Sequence, residues 1–289
     1  MNNPILTSIC TCPIQPGFQL ETENYHQIHN TYLGFPHLLY QFTVCGHTNR
    51  LHVVPDGCID ILFSFQPSKP IVEVCGTVLK GEMITFKANA VYFGVRLSAS
   101  QSINIPFLPF REIINKRIPL NDILKNQDNL PELLAEKSSF TERVSIIESK
   151  LIPILFGSES ASPYKLISKQ VQRIYRANGN ISVDHLAEET GYSPRHFRKL
   201  FEQVVGISPK LFCRIIRFQQ ALHVLMNQPA TLLEIVSEFG YYDQSHFVKE
   251  MKQFSLLTPL QIKNLNTAFT GPFPLQPTDY GETKTPTHL

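Results

Sequence analysis

The chain of 289 residues has no tryptophan and no apolar run approaching the ~20 residues a membrane span requires. Its six cysteines, Cys10, Cys12, Cys45, Cys58, Cys75 and Cys213, form no CxxC pair. They are too sparse for a disulfide scaffold or a four-thiolate zinc site, so reduced, partly buried thiols are expected. The opening Met1-Asn2-Asn3-Pro4 lacks the basic stretch of a signal peptide, which points to the cytoplasm. No glycine-rich loop of the phosphate-cradling kind occurs, and no Ser/His or Glu/His partner stands at a catalytic spacing from Asp56 and Asp60. His26, His29, His37, His47 and His52 lack the i, i+4 or Cys-paired spacing of metal ligands. Neither catalysis, a metal nor a cofactor is therefore expected.

What is present is ample apolar material, 43% of the chain, with 17% charged residues. At roughly 150 residues per domain the length suggests two domains, each able to bury its own core. Charge divides unevenly between them. Residues 1–161 hold 12 basic and 14 acidic side chains, whereas residues 162–266 hold 13 and 8. A basic excess confined to one segment raises the prospect of a polyanionic partner there.

The first segment reads as strands followed by helices. Runs rich in β-branched and aromatic residues, Leu38–Cys45, Leu51–Val54, Cys58–Phe65, Ile71–Cys75 and Ala90–Leu97, are separated by turn chemistry such as Pro55-Asp56-Gly57. From about Pro106 to Phe156 the period becomes helical, with Val144, Ile147, Leu151 and Leu155 on one face. The expected organisation is an N-terminal effector or oligomerisation domain over 1–156, a linker at 157–163, a helical domain over 164–264 and a disordered tail from 265 to 289. The fold class is thus α+β, with an all-α second domain.

The helical segment contains a repeat. Leu186-Ala187-Glu188-Glu189-Thr190-Gly191-Tyr192 recurs as Ile235-Val236-Ser237-Glu238-Phe239-Gly240-Tyr241. His196-Phe197-Arg198-Lys199 then aligns with His246-Phe247-Val248-Lys249 after one extra residue. In the first copy Ser182 is placed to cap a helix, Gly191 to stop it, and Ser193-Pro194 to start the next. In the second, Thr231 and Glu234 form a capping box, Gly240 is the stop and Asp243 the next cap. A stop, a short turn and an immediate restart give a helix-turn-helix.

In the first restarting helix Phe197, Leu200, Phe201 and Val204 form the buried stripe, leaving Arg195, Arg198, Lys199 and Glu202 outward. In the second, Phe247, Met251 and Phe254 are buried, and Gln244, Ser245, Val248, Lys249 and Lys252 face out. Arg and Lys pair with guanine edges and Gln with adenine, so both faces suit a major groove. Between the copies a helix opens at Ser208-Pro209 and runs to about Asn227, with Leu211, Ile215, Phe218, Leu222 and Leu225 buried. Its length of about 28 Å approaches the ~34 Å between successive major-groove faces on one side of B-DNA.

At these residues the chain resembles the AraC/XylS family of bacterial transcription regulators, over about 165–264. Gly191-Tyr192-Ser193-Pro194-Arg195-His196-Phe197, Gly206-Ile207-Ser208-Pro209 and Gly240-Tyr241-Tyr242-Asp243-Gln244-Ser245-His246-Phe247 carry the likeness. The chain departs from the family pattern at Leu256, where glycine is usual, and at Gln253, where a basic residue is common. The resemblance implies base reading by Arg195, Arg198 and Lys199, and by Gln244, Ser245, Val248 and Lys249, with Ser193 among the DNA-contacting residues. It also implies an activator of transcription whose partners are double-stranded DNA, RNA polymerase, a small-molecule effector and a second copy of the chain. Residues Val53–Ile61 and Gly94–Leu97 resemble a sensor-type domain found before such regions, which implies a small β-barrel-like fold with trailing helices; its effector-binding residues are not identifiable from the sequence. Two other readings remain open at this point: a DNA-alkylation repair protein with an N-terminal acceptor cysteine, and a helical protein-interaction module.

Overall fold

The computed structural model describes residues 13–46, 49–66, 69–98, 110–120, 129–156 and 162–268. The first half contains the strands β1 (Glu23–Tyr32), β2 (Phe35–Thr43), β3 (Arg50–Val53), β4 (Cys58–Phe65), β5 (Ile71–Cys75), β6 (Glu82–Thr85), β7 (Val91–Ser98) and β8 (Arg117–Pro119). Six of them make one antiparallel sheet in the order β1-β2-β7-β4-β5-β8, while β3 and β6 pair as a separate ribbon.

Alternation along the central strands gives the sheet two apolar faces. Leu38, Tyr40, Phe42, Leu62 and Tyr92 pack with Phe18, Leu51 and Phe86, so α1 (Pro16–Leu20) and the ribbon cover that side. Leu39, Ile61, Phe63, Phe93, Val95 and Leu97 face the other way. There they meet α3 (Leu130–Ala135), α4 (Phe140–Lys150) and α5 (Ile152–Phe156) through Leu134, Ile147, Leu151 and Leu155. The sheet keeps β1 and β8 as its edges, so enclosure comes from the ribbon rather than from a closed ladder. The result is barrel-like.

Three strands lie outside the sequence expectation. β1 is a polar edge strand whose burial pattern never reaches the fully buried class, so it carries little hydrophobic signal. β6 and β8 are four and three residues long. β8 also interrupts the expected helical stretch from Pro106 to Phe156, between α2 (Phe110–Ile113) and α3.

The second half is helical: α6 (Ser162–Arg176), α7 (Val183–Glu188), α8 (Pro194–Val205), α9 (Pro209–Asn227), α10 (Leu232–Glu238), α11 (Gln244–Ser255) and α12 (Pro259–Ala268). Of the expected linker, Ser162-Pro163 already belong to α6 and 157–161 lie outside the described residues. Of the expected tail, residues 265–268 are helical as the end of α12, and 269–289 lie outside the described residues.

The helical core gathers Phe197, Phe201, Phe212, Phe218, Phe247 and Phe254, all fully buried. Each such side chain contributes about 1.5–3 kcal/mol on leaving water. This core also takes in Ile14 and Val54 from the first half. α9 is consequently buried on more sides than its apolar stripe alone demands, and Gln219 and Gln220 are buried with it. Gln219 accounts for its own burial. Its Oε1 accepts from Ile14 N at 2.9 Å and its Nε2 donates to Pro55 O at 2.7 Å.

Candidate nucleic-acid interface

Two helix-turn-helix units, α7–α8 and α10–α11, are built by local capping. Ser182 accepts from His185 N and starts α7; Ser193 accepts from His196 N and starts α8, with Pro194 at its first turn. In the second unit Thr231 and Glu234 form a reciprocal capping box for α10, and Asp243 accepts from His246 N at 2.7 Å to start α11. The stops are left-handed. Gly191 and Gly240 have φ of 71° and 65°, a conformation that costs an L side chain roughly 1–2 kcal/mol and glycine little. After Gly240, the Tyr241 N–H donates back to Val236 O at 3.0 Å, closing the helix end. The extra residue of the second turn, Tyr242, is 91% exposed.

Each restarting helix buries its aromatic stripe and leaves the opposite face in water. Phe197, Phe201 and Val204 of α8 are buried, while Ser193, Arg195, Arg198 and Lys199 are exposed. On α11 Phe247, Met251 and Phe254 are buried, Gln244, Ser245 and Lys249 are exposed, and Val248 is half-buried. His196 and His246, repeated in both copies, pack their rings against Tyr192 and Tyr241.

Several partners of these faces were not foreseen from the sequence. Arg198 is held by Asp184 of α7 at 3.0 Å, an exposed pair across the first unit. Glu250 is buried on α11 and accepts from Arg214 Nε of α9 at 2.8 Å, which fastens α11 to α9. Arg217, also on α9, donates to Gly240 O and lies over the Tyr241 ring. Opposite charges at helical spacings on α9 and α11 were readable, but their facing each other was not. Both α8 and α11 end in left-handed residues, Gly206 at φ 88° and Leu256 at φ 64°. Leu256 is thus a side chain in a backbone conformation that favours glycine.

Among the described residues, Cys75 and Cys213 are poorly suited to act as acceptors. Cys58 and Cys213 are buried, and burial pushes the Cys213 thiol up to about 11 and Cys75 up to about 12. Such groups are poor nucleophiles near neutrality. Cys10 and Cys12 lie outside the described residues. Asp56 and Asp60, considered above for acid–base work, instead hold Arg96. Arg96 donates to both Asp60 oxygens at 2.9 and 2.8 Å and lies 3.6 Å from Asp56. Among the described residues no group of three His, Cys, Asp or Glu is arranged to hold a metal, and no helix is long and apolar enough to cross a membrane.

A protein-family model described as a helix-turn-helix domain matches residues 186–264. An uncharacterized HTH-type transcriptional regulator of Haemophilus influenzae is 33% identical over 81 residues, 28% of this chain and 27% of that one. The virulence regulon transcriptional activator VirF of Yersinia enterocolitica is 27% identical over 136 residues, 43% of this chain and 49% of that one. A solved structure of ToxT from Vibrio cholerae aligns over 86% of this chain and all of that one, at 12% identity and a TM-score of 0.41. The chain thus spans between about a quarter and a half of the length of the first curated relatives it matches. With two capped units joined by one buried spacer, the C-terminal part of this chain is similar, over residues 186–264, to helix-turn-helix domains of the AraC/XylS type.

Proposed function

We propose that this chain is a sequence-specific DNA-binding transcription regulator of the cytoplasm, an activator, that inserts α8 and α11 into two adjacent major grooves. In this reading Ser193, Arg195, Arg198 and Lys199 contact one groove, and Gln244, Ser245, Val248 and Lys249 the next. Phosphate contacts from Lys and Arg supply affinity, and the two helix faces supply selectivity. RNA polymerase, a small-molecule effector and a second copy of the chain are the further partners, with the sheet domain modulating the helical one. The observation that carries the reading is the repetition itself: two capped units, each with a solvent-facing polar helix, are fixed to one spacer by buried aromatic packing and by the Arg214–Glu250 pair.

The test is binding of the full chain to a duplex selected by it from a random pool. The logarithm of the binding constant falls linearly with the logarithm of salt concentration. Arg198→Ala and Lys249→Ala each weaken the selected duplex by about 1–3 kcal/mol with an unchanged circular dichroism spectrum. Unchanged affinity and unchanged site preference in both variants refute these residues as readers.

A further inference from the structure

The internal repeat breaks at one buried position. Continuing the alignment of His196-Phe197-Arg198-Lys199 with His246-Phe247-Val248-Lys249 sets Leu200 against Glu250. Leu200 packs on the helical core. Glu250 takes the equivalent place on α11 and is 3% exposed. A carboxylate that leaves water needs partners, because burying a charge unpaired costs far more than burying a leucine stabilises. Its partner comes from the spacer: Arg214 Nε donates to Glu250 Oε2 at 2.8 Å. The rest of Arg214 is engaged as well. Its Nη2 donates to Gln253 Oε1 at 3.2 Å, and its guanidinium lies 5.2 Å from the centre of the Phe254 ring. Tyr241, buried in the turn before α11, stands beside the same carboxylate; burial, then that negative charge, hold its phenol protonated.

A second attachment lies three residues further along α9. Arg217 Nη1 donates to Gly240 O at 3.2 Å, and its guanidinium lies over the Tyr241 ring. Residues three apart on a helix are surface neighbours, so Arg214 and Arg217 offer the second unit two points, one at its turn and one midway along α11. One attachment lets a helix pivot; two fix its line. α8 meets the same spacer through the Phe201 and Phe212 rings, 5.8 Å apart. Apolar packing accepts small changes of register, whereas a hydrogen-bonded buried ion pair has one geometry. The geometry matters at the far end of the helix. Gln244 and Ser245 lie six and five residues from Glu250, about 7.5–9 Å along the axis. A tilt of about 20° at Glu250 therefore carries them about 3 Å, close to the ~3.4 Å rise of one base pair.

We infer that Arg214 and Glu250 are positioning residues that set which separation of half-sites the chain accepts, by holding α11 at one tilt on α9. They act through Gln244, Ser245 and Lys249, whose place on the duplex they fix. Setting the half-site separation presupposes that α8 and α11 enter grooves as proposed above; holding the tilt of α11 does not. The pair contributes discrimination rather than stability, since apolar residues in place of a buried ion pair are often neutral or stabilising.

The full chain is tested on its selected duplex and on two derivatives, with one base pair inserted or removed between the half-sites. Wild type binds either derivative at least tenfold more weakly. Glu250→Leu, which copies the first unit, keeps the wild-type melting temperature as Arg214 turns to water, and its loss on the derivatives is threefold or less. Base substitutions in the half-site read by α8 cost the same in both chains. Glu250→Gln, which keeps an oxygen acceptor for Arg214, retains at least a fivefold penalty. If Glu250→Leu does not fold, Arg214→Met combined with Glu250→Leu takes its place, since it leaves no charge without its partner. A spacing penalty unchanged in the folded variant, whether or not overall affinity falls, marks a merely structural role and overturns the inference. A Glu250→Gln chain as indifferent to spacing as Glu250→Leu overturns the hydrogen bond as the cause. Positioning is also read without DNA, from the distance between nitroxides on noncanonical residues at Gln203 of α8 and Lys252 of α11, both exposed. Wild type gives one narrow distance distribution and Glu250→Leu a broader one; equal widths overturn the positioning. A chain that shows this contrast but selects no duplex counts against the regulatory reading and leaves the positioning standing.

Discussion

Replacing Gln219 with alanine removes one side chain and strands two backbone groups of the other domain. Gln219 is 4% exposed, and its amide accepts from Ile14 N at 2.9 Å and donates to Pro55 O at 2.7 Å. In the variant neither group has its partner, and water does not reach them without opening the seam. A buried donor or acceptor left unpaired costs about 1–3 kcal/mol, so the two together cost about 2–6 kcal/mol. For a chain of this size the lower figure corresponds to a fall in Tm of at least about 4 °C. The loss belongs to the seam, not to the helix-turn-helix units, because the local caps and the aromatic core of the helical domain are untouched. Urea denaturation of the full chain measures the cost, and limited proteolysis locates it at residues 13–16 and 53–57. Gln219→Glu keeps the acceptor for Ile14 and loses the donor to Pro55. A change below 0.5 kcal/mol in Gln219→Ala, or cleavage confined to α7–α8, refutes the seam as described.

Three further outcomes follow from single contacts. Asp184→Ala frees Arg198 from its 3.0 Å partner and removes a negative charge beside the first reading helix, so duplex affinity rises about two- to fivefold at low salt and less at high salt; no gain at low salt refutes the competition. Leu256→Gly relieves a left-handed side chain at φ 64°, worth about 1–2 kcal/mol, against the ~0.5–1 kcal/mol of added chain entropy. A small net stabilisation in thermal denaturation is expected, and a loss shows that the half-exposed leucine packs more than it strains. His52 is raised above its ordinary 6.5 by its hydrogen bond to Glu21, which ties β3 to the end of α1. A raised folded-state pKa gives stability that is complete below about 6.5 and is lost as pH rises through the higher folded value. The wild-type chain therefore loses more stability between pH 6 and 8 than His52→Gln, and identical pH profiles refute the pair.

The parts read from sequence are those specified over a few residues. Ser193, Asp243 and Thr231 act within one turn of chain, so both units and their caps could be placed without knowing what packs on them. β4 and β5 occur at the expected limits, Cys58–Phe65 and Ile71–Cys75, because each is an apolar run between turn residues. What escaped reading depends on distant partners. Asp60 and Arg96 are register partners on neighbouring strands although 36 residues apart, and nothing local marks them as a pair. Gln219 and Gln220 look like a polar face of α9, yet both are buried, Gln219 against Ile14 and Pro55 of the first half. The glycine missing at position 256 is visible in the sequence as a departure, and its backbone consequence is a left-handed leucine.

The most direct test of the central claim is missing-contact footprinting of the full chain on its selected duplex, repeated with Arg198→Ala and Lys249→Ala. Two protected major-groove segments one helical turn apart on the same side of the DNA are expected, one lost with each variant. A single protected segment, or two on opposite sides of the duplex, contradicts the claim.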